Sequence, residues 1–327
     1  MRDLLTDTPE IIDLPDGELI TEPGFYRISL ERHHNQPCDG PSVTSGVLRK
    51  MELQIPADVW AFHKLNPNRW EQKESTALRL GRAMACFVEG GPELLEEEFR
   101  VLPADKPKRP TAIQQTAYAE GRGTEAGIRS VEFWADVEAD GRDIVAEAEW
   151  DLICTMGKVL AADVAASAVM DGIPEVSMAW KDEATGIWCL ARPDTVSFSG
   201  LVTDYKKMAT KGTPFNERLV DHRITDHGYD MQGAFACEGF EQLTGQWSDF
   251  GIIAQWESPP HHVILREIPD EDLRIGQFRN RRALTRFREC LDSGHWPGPG
   301  ETTGVYHRPK WQREQLLEEM NKGNTAP

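Results

Sequence analysis

The sequence predicts an α/β or α+β fold with mixed strands flanked by helices. Three observations carry this. Apolar residues recur at helical spacing over residues 74–99 and 145–170. The period drops to two between Glu175 and Lys207. A strand-like stretch from Asp249 is then followed by a basic helical pattern ending near Gly294. With 327 residues, 39% of them hydrophobic, the chain is long enough to bury a sizeable core. One elaborated domain over residues 23–307 is the simplest division.

The elements follow in order. The start, "MRDLLTDTPEIIDLPDGE", is acidic and reads, over residues 1–22, as a loose leader rather than a basic-then-apolar signal peptide. A turn at Pro23 and Gly24 opens a short strand at Phe25, then loop and a helix that Ser42, Thr44 or Ser45 would cap. "ESTALRLGRAMACFVEGGPELLEEEF" places Leu78, Ala85 and Val88 on one helical side and stops at Gly90 and Gly91. The polar stretch from Arg109 to Asp143 has no clear period. "VAEAEWDLICTMGKVLAADVAASAVM" aligns Trp150, Ile153, Val159 or Leu160, and Val164, and ends near Asp171 and Gly172. "EVSMAW", "IWCLARPD" and "LVTDYKK", separated by "KDEATG" and "TVSFSG", predict a three-strand meander. "ITDHGYDMQGAFACEGFEQLTG" reads as helix, "DFGIIAQWESPPHHVILREI" as strand, and "LRIGQFRNRRALTRFRECLDSG" as a basic helix. Residues 308–327 form a charged helix fading into the polar "NKGNTAP".

Composition excludes several function classes. No apolar run approaches the roughly 20 residues of a membrane-spanning helix, so a cytoplasmic protein without membrane partners is expected. The six cysteines stand far apart with no CxxC pair, which argues for reduced thiols rather than a zinc or iron–sulfur site. A net charge of −18 opposes general coating of nucleic acid, so any such contact must be local. Basic residues cluster at Lys106 to Arg109, around Lys206, Lys207 and Lys211, and from Arg279 to Arg288. Each also reads as an ordinary solvated face.

The chemistry concentrates in "RPDTVSFSGLVTDYKK". Residues two apart on a strand share a face, so Asp204 and Lys206 point one way and Tyr205 the other. Asp194 comes alongside Asp204 if the intervening turn folds the strands antiparallel. Two carboxylates in contact repel unless a cation lies between them, and Mg²⁺ takes such oxygens together with water and substrate phosphate. The Tyr205 backbone carbonyl is a further possible ligand. Bound there, Mg²⁺ (or Mn²⁺ in its place) acidifies water and polarises a phosphoryl group, while Lys206 orients or deprotonates the attacking water. Glu175, opening the first strand, is a candidate outer carboxylate. Taken alone, the pattern also reads as an aspartate capping a turn and a lysine-guarded edge strand.

The surroundings resemble the PD-(D/E)XK nucleases, and within them the RecE-type exodeoxyribonuclease VIII group of phages and prophages. "GFYRISLERHHNQPCDGPSVTSGVLRKMELQIPADVW" is similar to that group's opening segment, with its "GxY", "PSxSxS" and "PAxxW". "EVSMAW…GIWCLARPD…VTDYKK" resembles its "ExSxxW…RxD…DxK" core, "GYDMQGAFACEG" its next helix, and "CLDSGHWPG" its closing segment. The likeness spans most of residues 23–300. It implies a restriction-endonuclease-like core with a helical N-terminal elaboration. It also implies that Asp194 and Asp204 bind metal, that Lys206 is catalytic, that Glu175 is the first-strand acid, and that Tyr229 and Gln232 face the site, Gln232 contacting phosphate or metal-bound water. The implied activity is degradation of linear double-stranded DNA from its ends, 5′ to 3′, by a homo-oligomeric ring working with a RecT-like annealing protein. Basic residues would line such a ring's channel.

One departure stands out. The family's earlier helix reads "GxAxH", its histidine reaching the metal, whereas "GRAMACF" puts Ala85 there. Glu89, one turn on, or His33, His34, His261 or His262 are substitutes by type. The alternative is a catalytically impaired DNA-binding or assembly protein on the same scaffold.

Overall fold

The computed structural model describes residues 9–71, 75–209, 212–301 and 304–323. The first eight residues of the expected leader, Lys211 and the end of the tail lie outside them. Within the described part, the leader region supplies β1 (Ile11–Asp13), parallel to β2 (Gly24–Arg27), and fully buries Ile20. Ile11, packed against the main core, and Ile20 give this acidic stretch apolar side chains to bury, while Ile12 stays exposed.

Ser29 caps α1 (Leu30–His34), accepting from the Arg32 N–H. The strand β3 (Ser42–Thr44) runs directly into α2 (Ser45–Leu53), so Thr44 is the N-cap, although its side chain makes no capping bond. Pro56 starts α3 (Pro56–Phe62), where a missing N–H costs nothing. The next helix, α4 (Thr76–Glu98), does not stop at the glycine pair: Gly90 and Gly91 leave helical geometry and kink it, and Pro92 resumes it as a first-turn proline would. The region without clear period forms β4 (Phe99–Leu102), α5 (Ala112–Ala119), α6 (Glu125–Asp140) and β5 (Asp143–Ala146), with β4 and β5 parallel. Its core is small, Leu102, Trp134 and Val137, which is why its periodicity is weak.

The second long helix breaks at Asp163 into α7 (Glu147–Ala162) and α8 (Val164–Val169), because Asp163 turns its carboxylate onto the Ala166 N–H and starts a new helix. Then come β6 (Ile173–Pro174), β7 (Ser177–Lys181), β8 (Trp188–Ala191), β9 (Thr195–Ser197) and β10 (Leu201–Met208). Gly228, at φ 64°, divides the following segment into α9 (Glu217–His227) and α10 (Tyr229–Thr244). A hairpin, β11 (Asp249–Trp256) and β12 (Val263–Glu267), precedes α11 (Asp270–Ser293) and the charged α12 (Lys310–Gly323).

The expected three-strand meander is not one unit. Its first two strands, β7 and β8, pair antiparallel in a sheet ordered β1-β2-β7-β8-β3, while β9 and β10 belong to a second sheet ordered β12-β11-β10-β9-β6. The chain changes sheets at Arg192–Asp194, where Pro193 cannot donate to a ladder. Both sheets are mixed. β10 lies parallel to β11, and helices α10, α11 and α2 pack together over the main core. On the other side of the second sheet, Ile253, Tyr205 and Leu265 pack with residues of α4 and α7. Among the described residues no helix is long and apolar enough to cross a membrane, and the six cysteines form no disulfide with one another.

Candidate active site

Strand register brings the acids into one row. β9 pairs with β10 through Thr195 and Thr203, and β6 with β9 through Pro174 and Thr195. One residue further along each strand stand Asp204, Asp194 and Glu175. The Glu175 N–H donates to the Asp194 carbonyl at 3.1 Å, continuing the ladder. Asp194 Oδ2 accepts the Tyr205 N–H at 2.5 Å. In extended backbone the N–H and C=O of one residue point the same way, so the Tyr205 carbonyl also faces the Asp194 side.

Alternation along β10 separates the rest. Tyr205 turns into the far core, its hydroxyl donating to Gln255 Oε1 at 2.7 Å. Asp204, only 2% exposed, and Lys206 share the opposite face, where the Lys206 ammonium ion-pairs with Asp204 Oδ2. Gln232 Nε2 donates to Asp204 Oδ1 at 2.8 Å, and the Tyr229 ring lies 4.9 Å from Lys206 Nζ. Gln232 can reach because α10 lies close against β11. Its neighbour Gly233 packs on Phe250, and a Cβ there would come within 2.4 Å of the ring.

These groups line a cleft of about 580 Å³ between β10, α2, α4 and α10. Glu175 is part of its lining but is committed: Arg192 Nε donates to Glu175 Oε2 at 2.5 Å and also bonds the Ile28 carbonyl. Glu175 holds a left-handed φ of 51°, a conformation that costs a non-glycine residue about 1–2 kcal/mol. Ala85 and Glu89 line the α4 wall, and His33 and His34 the opposite rim. His33 is buried against Ser177 Oγ at 3.0 Å. His261 and His262 are elsewhere, packed with Trp256, and do not line the cleft.

Burial and charge set the protonation states. Burial pushes the Asp194 carboxyl well above the usual range, and the Asp204 charge adds to the shift. Burial alone would lower Lys206, but the Asp204 and Asp194 carboxylates outweigh it and hold the ammonium above its ordinary value. Burial also raises Glu175, with Arg192 opposing. Burial lowers His33 well below the ordinary imidazole value, and the exposed His34 is lowered too, by its desolvated side and the Arg192 charge.

The donor set fits a hard divalent cation. The buried Asp204 and the partly buried Asp194 lie side by side, the Tyr205 carbonyl faces them, and both Asp204 Oδ2 and Gln232 Oε1 lack an aligned hydrogen-bond partner. Lys206 beside Asp204 Oδ2 supplies charge without that alignment. Among the described residues no three His, Cys, Asp or Glu side chains gather into a ready-made ligand cage. Mg²⁺ suits that arrangement, since it keeps waters and takes only one or two carboxylates plus substrate phosphate.

Residues 55–308 match the family model described as "PDDEXK-like domain of unknown function (DUF3799)". The chain belongs to this family. Within the matched residues the chain reads Pro193-Asp194 and Asp204-Tyr205-Lys206. Its fold is similar to the crystal structure of a "Putative exonuclease" from Eubacterium rectale, with TM-score 0.57 and 16% identity over 88% of this chain and 98% of that one. That likeness supports a restriction-endonuclease-like fold. No curated protein matches the sequence.

The DUF3799 site also contains residues that sequence reasoning missed. Arg192 stands in the quoted "RPD", and its proximity to Asp194 was the available signal. Arg49, four residues past Ser45, lines the cleft from α2 and lies 5.6 Å from the Tyr229 ring centroid. Glu257 pairs with Lys207 at 2.5 Å. The arginines of α11 turned out to be engaged within the chain. Arg279 pairs with Asp230, Arg281 with Asp182, Arg282 with Glu52 and Arg288 with Asp292. The remaining arginine of that run, Arg286, reaches the Met51 carbonyl at 3.5 Å.

Proposed function

We propose that this protein is an Mg²⁺-dependent exodeoxyribonuclease that hydrolyses linear double-stranded DNA from its ends, 5′ to 3′, in phage-type recombination. The observation that carries the nuclease reading is the register that sets Asp194 beside Asp204, with Lys206 on the same face of β10 in one cleft. Asp194, Asp204 and the Tyr205 carbonyl would hold the cation, which when bound polarises the phosphoryl group and acidifies a water. Lys206 orients that water and stabilises the charge that grows on the phosphoryl oxygens. Gln232 fixes the Asp204 carboxylate through Oδ1, leaving Oδ2 toward the cleft. Arg192 locks Glu175, which restrains the neighbouring Asp194 through their shared backbone bond. Action at ends, ring assembly and an annealing partner follow from the RecE-type resemblance alone.

The test is digestion: purified protein with Mg²⁺ should shorten blunt linear duplex DNA and leave covalently closed circles intact. Nicked or linearised circles would overturn the end-dependence, and intact linear DNA the nuclease reading.

Ala85 favours a second reading, a DNA-binding or assembly protein with little hydrolysis, because the α4 wall presents a methyl group to the cleft at that point. Metal-independent DNA retention without digestion would select it.

A further inference from the structure

Behind the second sheet, on the side away from the cleft, a single amide is held by three groups. Gln255 of β11 is fully buried, and β10 and β11 run parallel with Tyr205 opposite Ile253 and Lys207 opposite Gln255, so Tyr205 and Gln255 point to the same face. Gln255 Nε2 donates to the Met156 carbonyl of α7 at 3.0 Å and to the His261 carbonyl of the β11–β12 turn at 3.3 Å. With both amide hydrogens spent on carbonyls, Oε1 is the atom left for the Tyr205 phenol, which donates to it at 2.7 Å. The amide is fully satisfied and takes one orientation. His261 holds a left-handed φ of 63°, which a side chain disfavours, in the turn that presents its carbonyl to this amide. Its Nδ1 donates to the Trp256 carbonyl at 3.2 Å and its N–H to the Ser258 carbonyl at 2.9 Å, so the turn is braced within itself.

What this anchor holds lies on the cleft side. β9 accompanies β10 only through Leu201, Val202 and Thr203. At Tyr205 a side chain has replaced the ladder: the N–H goes to Asp194 Oδ2, and the carbonyl, pointing the same way, faces the carboxylates. Tyr205 thus spends neither backbone group on a neighbouring strand, and its fixed point is the phenol. Glu257, two residues past Gln255, pairs with Lys207 in the cleft, so the segment that carries the anchor meets the site from both faces of the sheet.

We propose that Gln255 is a positioning residue of the candidate active site, tying the Tyr205 side chain to α7 and the β11–β12 turn and so fixing the peptide groups that Tyr205 presents to Asp194 and the proposed cation. The hold on Asp194 is independent of any reaction. Its catalytic consequence rests on the nuclease reading of the cleft.

The experiment uses the full chain with Tyr205→Phe, which removes one hydroxyl, and Gln255→Met, which removes the amide. Amide hydrogen exchange in EDTA, resolved to single residues, should be about tenfold faster at the residue 205 N–H relative to Val202 and Ile252, whose amides report general loosening of the same strands. In the presence of Mg²⁺, both variants should bind the ion about tenfold more weakly by calorimetry and lose about threefold to tenfold in kcat on linear duplex, with KM unchanged. Tyr205→Phe with the wild-type exchange ratio, while folded by circular dichroism, overturns the proposal. Should Gln255→Met fail to fold, Tyr205→Phe decides alone. A faster ratio in an active enzyme whose Mg²⁺ affinity and kcat are unaltered also overturns it, the bond then serving stability only. The outcomes separate from those of the nuclease reading. A wild-type chain that binds no Mg²⁺ and digests nothing removes that reading, while the faster exchange in Tyr205→Phe still upholds the hold on Asp194. Digestion by a Tyr205→Phe enzyme indistinguishable from wild type in exchange, Mg²⁺ affinity and kcat removes this proposal alone.

Discussion

Gln232 Nε2 donates to Asp204 Oδ1 at 2.8 Å, joining α10 to the strand that carries the cleft's buried carboxylate. The bond fixes which oxygen of Asp204 stays available. Replacing Gln232 with Leu leaves that oxygen without a donor, a loss on the order of 1–3 kcal/mol. Steady-state digestion by Gln232→Leu should fall about tenfold to a hundredfold, with a melting temperature lowered by only a few degrees. A rate equal to wild type would show that the orientation of Asp204 does not depend on α10.

Asp204→Asn keeps shape but removes the charge that faces Lys206 and the proposed cation. Cleavage of linear duplex should drop by about a thousandfold or more. Retention of the same DNA in a filter assay should change little.

Calorimetric titration with Mg²⁺ should show binding to the wild type that is lost in Asp194→Asn and in Asp204→Asn alike. Because Lys206 does not contribute an acceptor, Lys206→Met should still bind the ion while losing digestion. Equal Mg²⁺ heats in the wild type and both aspartate variants would remove the ion from this cleft.

Gly233 sits where a Cβ would meet the fully buried Phe250 ring at 2.4 Å. Gly233→Ala should therefore destabilise the protein by about 1–3 kcal/mol, the usual cost of overpacking. It should also reduce digestion beyond what the stability loss explains, since α10 must lift and carry Gln232 with it. Denaturant melts together with rates at saturating DNA separate the two effects.

Away from the cleft, burial raises Glu238 to about 7, with Arg281 opposing the shift from 3.6 Å. A carboxyl whose folded value lies above its unfolded value gives stability at low pH that is lost as pH rises from about 4.5 through 7. The penalty at pH 8 is at most about 3 kcal/mol. Thermal melts of the wild type should show a decline across that window that Glu238→Gln flattens, the variant being the more stable at pH 8.

Much of the site was legible in the sequence because it depends on short-range geometry. The alternation of "LVTDYKK" places Asp204 and Lys206 on one face whatever sheet the strand joins, and the turn before it sets Asp194 alongside. Tyr229 and Gln232, one turn apart, fall on the same side of α10. Partners drawn from distant segments were not legible. Arg49 approaches Tyr229 across 180 residues, and Arg192 reaches the Ile28 carbonyl across 164. Nothing local to either arginine marks that contact. Sheet membership was hidden for the same reason: β8 and β10 both read as strands, yet only the pairing of β8 with β3 and of β10 with β11 assigns them to different sheets. Polar α5 and α6 escaped because a helix with a thin core has little apolar period to read.

The lateral alignment of Glu175, Asp194 and Asp204 leaves the centre intolerant of indels. A single residue inserted or deleted between Ser197 and Leu201 would rotate β10 by half a period, sending Asp204 and Lys206 into the apolar layer and Tyr205 out to the cleft. Length variation among related chains should therefore accumulate in the connections on either side of this turn, and spare the turn itself.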